Sequence, residues 1–201
     1  MASSDQKENE DRKKLLFHIC CAACLSYVHK IINPEKYEIM GYFYNPQVHG
    51  RTEYNKRLSD VRKYCDENKI DLTVPEYQIQ EFFDPIMPYQ DKNSIKYIKD
   101  KKRWRTKRCQ LCHSQVLGKT ADEAKKMKAN MFSTTMLTSP YKDHDEIWNI
   151  GLEIEREKKI PFFYTDFRKG YWYGRNYARN HSMLIPTYCG CSYSAEEAIL
   201  E

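Results

Sequence analysis

The sequence predicts an α/β domain with a mostly parallel sheet and helices on both faces. Three observations carry this. Short apolar runs alternate with segments of helical period along the chain, Asn-Pro and Gly punctuation separates them, and no internal repeat interrupts the order. Consecutive parallel strands then require right-handed crossovers. The site of such a sheet lies beyond the carboxyl ends of its strands.

Each element follows from local pattern. Residues 15–19 (LLFHI) form a short, mainly apolar run and read as a buried strand. Residues 20–32 continue at helical spacing and stop at Asn33-Pro34. A second strand spans 37–44, ended by Asn45-Pro46. Over 51–68, charged and apolar residues alternate at helix period, with Tyr54, Leu58, Val61 and Cys65 on one stripe. Residues 70–74 form a third strand, and 81–87 a short helix limited by Pro85 and Pro88. A helix over 109–127, a strand over 129–136, a helix over 143–158, a strand over 161–166 and a helix over 171–182 complete the order. Residues 1–13 read as a disordered lead-in to a single domain over 14–201, polar and without the apolar core of a secretory signal. No apolar stretch approaches the roughly 20 residues of a membrane helix, so a cytoplasmic setting without membrane contact is expected.

The 201-residue chain carries a formal net charge of +5, too little for binding nucleic acid by charge alone. The distribution is more informative. Lys96, Lys99, Lys101, Lys102, Arg103, Arg105, Lys107 and Arg108 face only Asp100 in the same stretch, with Tyr97 and Trp104 among them. Such a run is either a solvated face or a phosphate-binding segment with a stacking aromatic. A second basic and aromatic patch runs from Arg168 through Tyr171, Trp172 and Tyr173 to Arg175, and Arg179 shares its helix face.

Eight cysteines are many for a reducing compartment, where disulphides are rare. Seven of them fall into three clusters, Cys20-Cys21-Ala-Ala-Cys24, Cys109-Gln-Leu-Cys112 and Cys189-Gly-Cys191, whereas Cys65 stands alone on an apolar helix face. Cys21 and Cys24 lie three apart at the start of a helix, as do Cys109 and Cys112. That spacing puts each pair on one face, where the helix N-terminus favours thiolate. Four thiolates suit tetrahedral zinc or a cubane iron–sulphur cluster, and Cys20 is a fifth sulphur for a second metal or the substrate. A structural zinc and a thioredoxin-like dithiol remain alternatives. The one-residue gap of Cys189 and Cys191 is awkward for ligating one iron, but Gly190 permits a disulphide or dithiol loop. Redox exchange, further ligation and a structural role stay open there.

Several of these segments resemble the QueH family of cobalamin-independent epoxyqueuosine reductases. They are Leu16 to Cys24, Arg108-Cys109-Gln110-Leu111-Cys112, Phe132 to Leu137 and Tyr188-Cys189-Gly190-Cys191-Ser192. The resemblance runs from about Lys14 to Ala195 with the motifs in order, and departs only at Ala23, where a proline is common. It implies a fold related to the adenine-nucleotide hydrolase-like (HUP) group. It also implies a 4Fe-4S cluster with one additional iron ion beside it, and removal of the epoxide oxygen of the modified wobble base of tRNA to give queuosine. On that reading Cys21, Cys24, Cys109 and Cys112 ligate the cluster and Cys20 anchors the second iron. Cys189 and Cys191 are a redox-active pair, and Asp166 is preferred over Tyr44 and His18 as proton donor. Lys101, Lys102, Arg103, Trp104, Arg105, Lys107, Arg108 and Arg175 hold the tRNA. A low-potential donor such as ferredoxin or flavodoxin supplies electrons. Two rivals remain. A zinc-stabilised tRNA-binding module would need no redox metal. An ATP-dependent tRNA-thiolating enzyme would need a glycine-rich loop after the first strand, where this chain has Cys20 to Cys24 without glycine.

Overall fold

A computed structural model describes residues 12–89 and 106–199. The central strand β1 is Lys13–His18, and the four residues 15–18 at its carboxyl half are all buried. Leu15, Leu16, Phe17 and Ile19 are inaccessible to solvent, as a strand covered on both faces requires. Helix α1 (Ala22–Ile31) follows, then β2 (Tyr37–Tyr42), α2 (Arg51–Asn68) and β3 (Asp71–Thr73). Helix α3 (Gln80–Ile86) runs into a 3₁₀ turn at Met87–Tyr89. Beyond the undescribed stretch come α4 (Lys107–Lys126), β4 (Met131–Thr134) and a 3₁₀ turn at Thr135–Thr138. The chain continues through α5 (His144–Lys158), a 3₁₀ turn at Arg168–Gly170, α6 (Tyr171–Asn180) and α7 (Ser192–Ile199).

The sheet is four-stranded and wholly parallel in the order β3-β2-β1-β4. The chain moves outward from β1 to β2 to β3, then returns to place β4 on the other side of β1. Right-handed crossovers therefore set α1 and α2 on one face and α4 on the other. Helix α1 packs on α2 and α6, whereas α4 packs on α5 and against β1 and β4. The reversal between β1 and β4 creates the crevice in which doubly wound sheets place their ligands.

The stripe on α2 is as the periodicity predicts, with Tyr54, Leu58, Val61 and Cys65 buried. Asp143 caps α5, its carboxylate accepting the Glu146 N–H at 3.1 Å, and Lys159 closes that helix in the left-handed region at φ 55°.

Several elements differ from the sequence reading. Helix α1 starts at Ala22 because Cys21, in extended conformation, occupies the N-cap. Strand β4 stops at Thr134, whose hydroxyl accepts the Met136 N–H at 3.0 Å and turns the chain into the 3₁₀ segment. The strand expected over 161–166 is reduced to one parallel bridge between Phe132 and Phe162. Phe132 donates to the Pro161 carbonyl and Phe163 to the Phe132 carbonyl, but with β4 ended, Phe167 bonds to Leu137 instead. Helix α7 lacked any sequence assignment. Of the lead-in expected over 1–13, residues 1–11 lie outside the described residues, and Lys13 already belongs to β1.

Glycine decides one packing contact near the site. A Cβ on Gly174 would lie 2.1 Å from the Ala23 carbonyl oxygen, so α6 touches the first turn of α1 backbone to backbone. That approach brings Tyr171 and Arg175 beside the cysteines.

Candidate metal and redox site

Cys20, Cys21 and Cys24 follow β1 directly. Their three sulphurs lie within 4.8 Å of one another, with Cys20 and Cys21 3.9 Å apart. Cys21 is the N-cap of α1 and Cys24 is at the third helical position, so neither a capping oxygen nor an acidic side chain competes for the free N–H groups there. The Thr135 hydroxyl, from the end of β4, accepts the Cys20 N–H at 3.1 Å and contacts its sulphur at 3.3 Å. Hydrogen bonds from the Cys21 and Cys24 thiols hold Cys20 well below the usual thiol range. Donating to the Cys20 thiolate pushes Cys21 up to about 12 and raises Cys24 as well. Three soft donors thus converge within bonding reach of a single metal ion.

Cys109 and Cys112 occupy the first turns of α4. Thr106 is the N-cap, its hydroxyl accepting the Cys109 N–H at 3.2 Å. Both thiols face a small cavity of about 30 Å³ that Cys189 and Cys191 also line, with Gln47, Arg108, His113 and Lys142. Burial raises both Cys109 and Cys112, and pushes Cys191 to about 11. The Lys142 ammonium donates to the Cys189 sulphur at 2.9 Å. Burial pulls this lysine down and the sulphurs of Cys189, Cys109 and Cys112 around it pull it up, with a net rise. Cys191 stands before α7, where its sulphur accepts the Ser194 N–H at 3.4 Å.

A larger cavity of about 370 Å³ opens beside the small one. Cys20, Cys21 and Cys24 form one wall; Tyr141, Tyr171, Arg175 and Tyr188 contribute others. Gln47, Lys142 and Cys189 line both spaces, so all seven clustered cysteines surround two adjoining cavities at the switch point of the sheet.

The Cys189-Gly190-Cys191 turn is held from behind. Arg57, 3% exposed on α2, donates from Nη1 to the Cys189 carbonyl at 3.1 Å and from Nη2 to the Tyr188 carbonyl at 3.3 Å. It also pairs with Glu53 at 2.8 Å. Gly190 has φ +115°, and a Cβ there would lie 2.9 Å from Arg57 Nη1. Only glycine combines that backbone with that contact.

The predicted residues therefore divide. The structure gathers Cys20, Cys21 and Cys24 into one group, and Cys109 and Cys112 with Cys189 and Cys191 into another. All eight cysteines are free thiols, so the disulphide anticipated for Cys189 and Cys191 is not formed; Lys142 engages one sulphur and Ser194 the other. Cys65 is a buried thiol away from both groups. Asp166 lines neither cavity. It forms an exposed ion pair with Arg168 at 2.5 Å, and those hydrogen bonds lower its carboxyl to about 2, which leaves it no proton to give near neutrality. His18 is buried between the Thr134 hydroxyl (2.9 Å) and Asn45 Oδ1 (3.1 Å), and Tyr44 donates to Glu81; both are satisfied away from the cavities.

Of the expected tRNA contacts, Lys101, Lys102, Arg103, Trp104 and Arg105 lie outside the described residues. Lys107 is exposed and donates to the Gln110 side-chain carbonyl at 2.8 Å. Arg108 instead turns inward, 5% exposed, its guanidinium 4.1 Å from the Tyr193 ring centre. Arg175 lines the large cavity and donates to the Pro186 carbonyl at 3.1 Å. Beside it Trp172 is 67% exposed, its ring 5.2 Å from that of Tyr171. Gln47, Arg57 and Lys142 escaped the sequence reading, since isolated residues carry no spacing signal.

A parallel α/β domain with thiols converging at its switch point is built for a soft metal or for redox chemistry. The comparison with known proteins specifies which kind. The family model described as "Epoxyqueuosine reductase QueH" matches residues 15–197, and the chain belongs to this family. Proteins of that name are similar along most of their length. The one from Thermotoga maritima is 33% identical over 189 residues, 91% of each chain. That from Dehalococcoides mccartyi is 30% identical over 92% of this chain and 93% of the relative. That from Streptococcus pyogenes serotype M1 is 24% identical over 98% and 75%, respectively.

Proposed function

We propose that this chain is an epoxyqueuosine reductase acting on tRNA, an oxidoreductase that removes an epoxide oxygen as water with two electrons and two protons. The observation that carries the reading is the convergence of seven thiols on two adjoining cavities, in a chain of this family. In the reading, Cys21, Cys24, Cys109 and Cys112 ligate a 4Fe-4S cluster and Cys20 supports one additional iron. The donor set suits iron: three sulphurs converge after β1, and two more stand at the next helix start. When bound, such a cluster supplies single electrons at low potential, and an adjacent iron acts as a Lewis acid. The strand order and the crevice support kinship with the HUP group.

The chain's own groups supply the remainder. Lys142 keeps a proton at Nζ where both cavities meet, and in this reading is the proton donor in place of Asp166, which lines neither cavity. Cys189 and Cys191 are the proposed exchange pair; oxidising two thiols to a disulphide releases two electrons and two protons, the number the reaction consumes. A donor of the ferredoxin or flavodoxin type restores them. Trp172 and Arg175, with the basic stretch before Cys109, offer stacking and phosphate contacts for an unpaired anticodon base. No helix among the described residues is long and apolar enough to cross a membrane, and the free thiols accord with a cytoplasmic setting.

One observation favours a second reading. The Cys20–Cys21 separation of 3.9 Å matches the edge of a single tetrahedral metal–thiolate site, about 3.8 Å for a 2.3 Å metal–sulphur bond. A zinc-stabilised RNA-binding module would use that site without turnover. Metal analysis of anaerobically purified protein separates the two. Iron with sulphide, the broad visible absorbance of a cluster, and conversion of the epoxide in tRNA support the reductase. A colourless protein holding one zinc and converting nothing refutes it. For Cys21→Ala, Cys24→Ala, Cys109→Ala and Cys112→Ala, loss of cluster iron is expected, and full retention removes that residue from the ligand set. Cys189→Ser and Cys191→Ser should keep iron and lose turnover.

A further inference from the structure

Seven large apolar side chains are exposed among the described residues, and two of them, Tyr141 and Trp172, pack on the same ring, that of Tyr171 in the wall of the large cavity. Tyr141, 49% exposed, comes from the turn before α5, its ring 5.7 Å from that of Tyr171. It lines the cavity while half exposed, and so stands at the mouth. Trp172, 67% exposed, follows Tyr171 on α6 with the two rings 5.2 Å apart. Single exposed apolar residues are ordinary on a soluble protein, whereas aromatics grouped at the mouth of a pocket mark a contact surface.

The surroundings carry one sign of charge. Residues 168–181 contain Arg168, Lys169, Arg175 and Arg179 and no acid, and Asp166 offsets Arg168 alone. Trp172, Arg175, Asn176 and Arg179 follow at the i, i+3, i+4, i+7 spacing of one helix face. The Arg175 guanidinium lies 5.5 Å from the Tyr171 ring centre and 6.0 Å from that of Trp172. Lys30 of α1 lies 4.3 Å from the ring centre of Tyr173. Ring faces interleaved with cations fit single-stranded nucleic acid, whose bases stack on the rings and whose phosphates meet the cations.

The cavity of about 370 Å³ also houses the proposed metal beside Cys20, Cys21 and Cys24, so it admits one reacting base and not its neighbours. A base drawn out of its stack leaves the bases before and after it with an uncovered face. We propose that Tyr141 and Trp172 are the platforms on which those two flanking nucleotides stack, one on each ring, with Lys169 and Arg179 against the backbone beyond Trp172. Such stacking tolerates any base, because every base has a π-face, but it requires the flanking bases to be unpaired. The rim thus selects an open loop over a duplex without reading the flanking sequence.

The inference rests on the reading that a tRNA base enters the cavity, and the experiment separates the two. Metal-loaded wild type, Trp172→Ala, Tyr141→Ala, Trp172→Phe and Tyr141→Phe are compared for iron content and thermal melting. Each is titrated anaerobically, by fluorescence anisotropy, against a labelled anticodon stem-loop carrying the epoxide base. Two further stem-loops lack the base on the 5′ or the 3′ side of the reacting nucleotide. In wild type each missing flanking base should weaken binding about tenfold. Trp172→Ala should weaken binding of the intact stem-loop by about tenfold as well, and one of the two abasic positions should then cost nothing more. Tyr141→Ala should behave likewise with the other position, while the Phe variants stay within about threefold of wild type. Losses that simply multiply in every combination overturn the inference. So does a Trp172→Ala protein that binds all three stem-loops like wild type and differs in oligomeric state, which gives the face to a second copy of the chain. Turnover is followed in parallel. Turnover without the coupling leaves the reductase standing and the platforms refuted; coupling without turnover in wild type keeps the platforms and removes the reductase reading.

Discussion

Arg57 offers the sharpest test of how the fold holds its thiols. The guanidinium is 3% exposed and engages two carbonyls of the Tyr188–Cys189 segment, while Glu53, with a side chain 18% exposed, is its ion-pair partner. In Arg57→Met the aliphatic volume is kept, but two carbonyls lose charged donors and Glu53 loses its counter-charge. Removing one member of a buried hydrogen-bonded ion pair costs about 3–5 kcal/mol, and the partial exposure of Glu53 puts the expectation at about 3 kcal/mol. For a chain of this length that corresponds to a fall in Tm of roughly 6–12 °C. Arg57→Lys retains the charge beside Glu53 without the fork that reaches two carbonyls, and should recover less than half of the loss. Circular dichroism melts give the stability. A thiol reagent titrated against folded protein reports whether Cys189 and Cys191 become more accessible. A Tm within about 2 °C of wild type in Arg57→Met, with unchanged thiol reactivity, would refute the assignment of Arg57 as the anchor of that turn.

Further predictions follow from the same geometry. Gly174→Ala puts a methyl 2.1 Å from the Ala23 carbonyl, so α6 must retreat from α1; a loss of about 2–3 kcal/mol in urea denaturation and a weakened KM are expected. Asp166→Asn removes an exposed pair worth under about 1 kcal/mol and should leave turnover unchanged; a large loss of kcat would restore Asp166 to the reaction. His18 is held neutral by burial, its pKa lowered from 6.5, so below pH 6.5 the unfolded chain takes up a proton that the folded chain refuses. That contribution is complete above pH 6.5 and falls by up to about 1.4 kcal/mol per pH unit below it, down to the folded pKa. Urea midpoints at pH 5 and 7.5 should differ less in His18→Gln than in wild type.

The sequence by itself determined the kind of fold and the chemistry of the site. Mainly apolar runs such as Leu15 to Ile19 and the stripe on α2 are local patterns, and their alternation leaves a parallel sheet as the economical way to bury them. Paired cysteines at helix starts are likewise local, because a three-residue spacing fixes a shared face whatever surrounds it. Pairing partners are different. Whether residues 161–166 extend the sheet depends on where β4 ends, and Thr134 ends it by capping the next turn. Asp166 looked eligible from its position after an apparent strand, yet Arg168 takes its carboxylate on the surface.

The grouping of the thiols was also beyond local reading. Cys109 and Cys112 meet Cys189 and Cys191 across a separation of some eighty residues, and the division from Cys20, Cys21 and Cys24 exists only once α4 and α7 are placed. Lys142 and Arg57 gain their roles in the same way, from burial and from what lies opposite. The chain announces which atoms can hold metal because ligand chemistry belongs to side chains and their spacing. Which sulphurs share a cavity is decided by long-range packing, where each residue's surroundings come from segments distant in sequence.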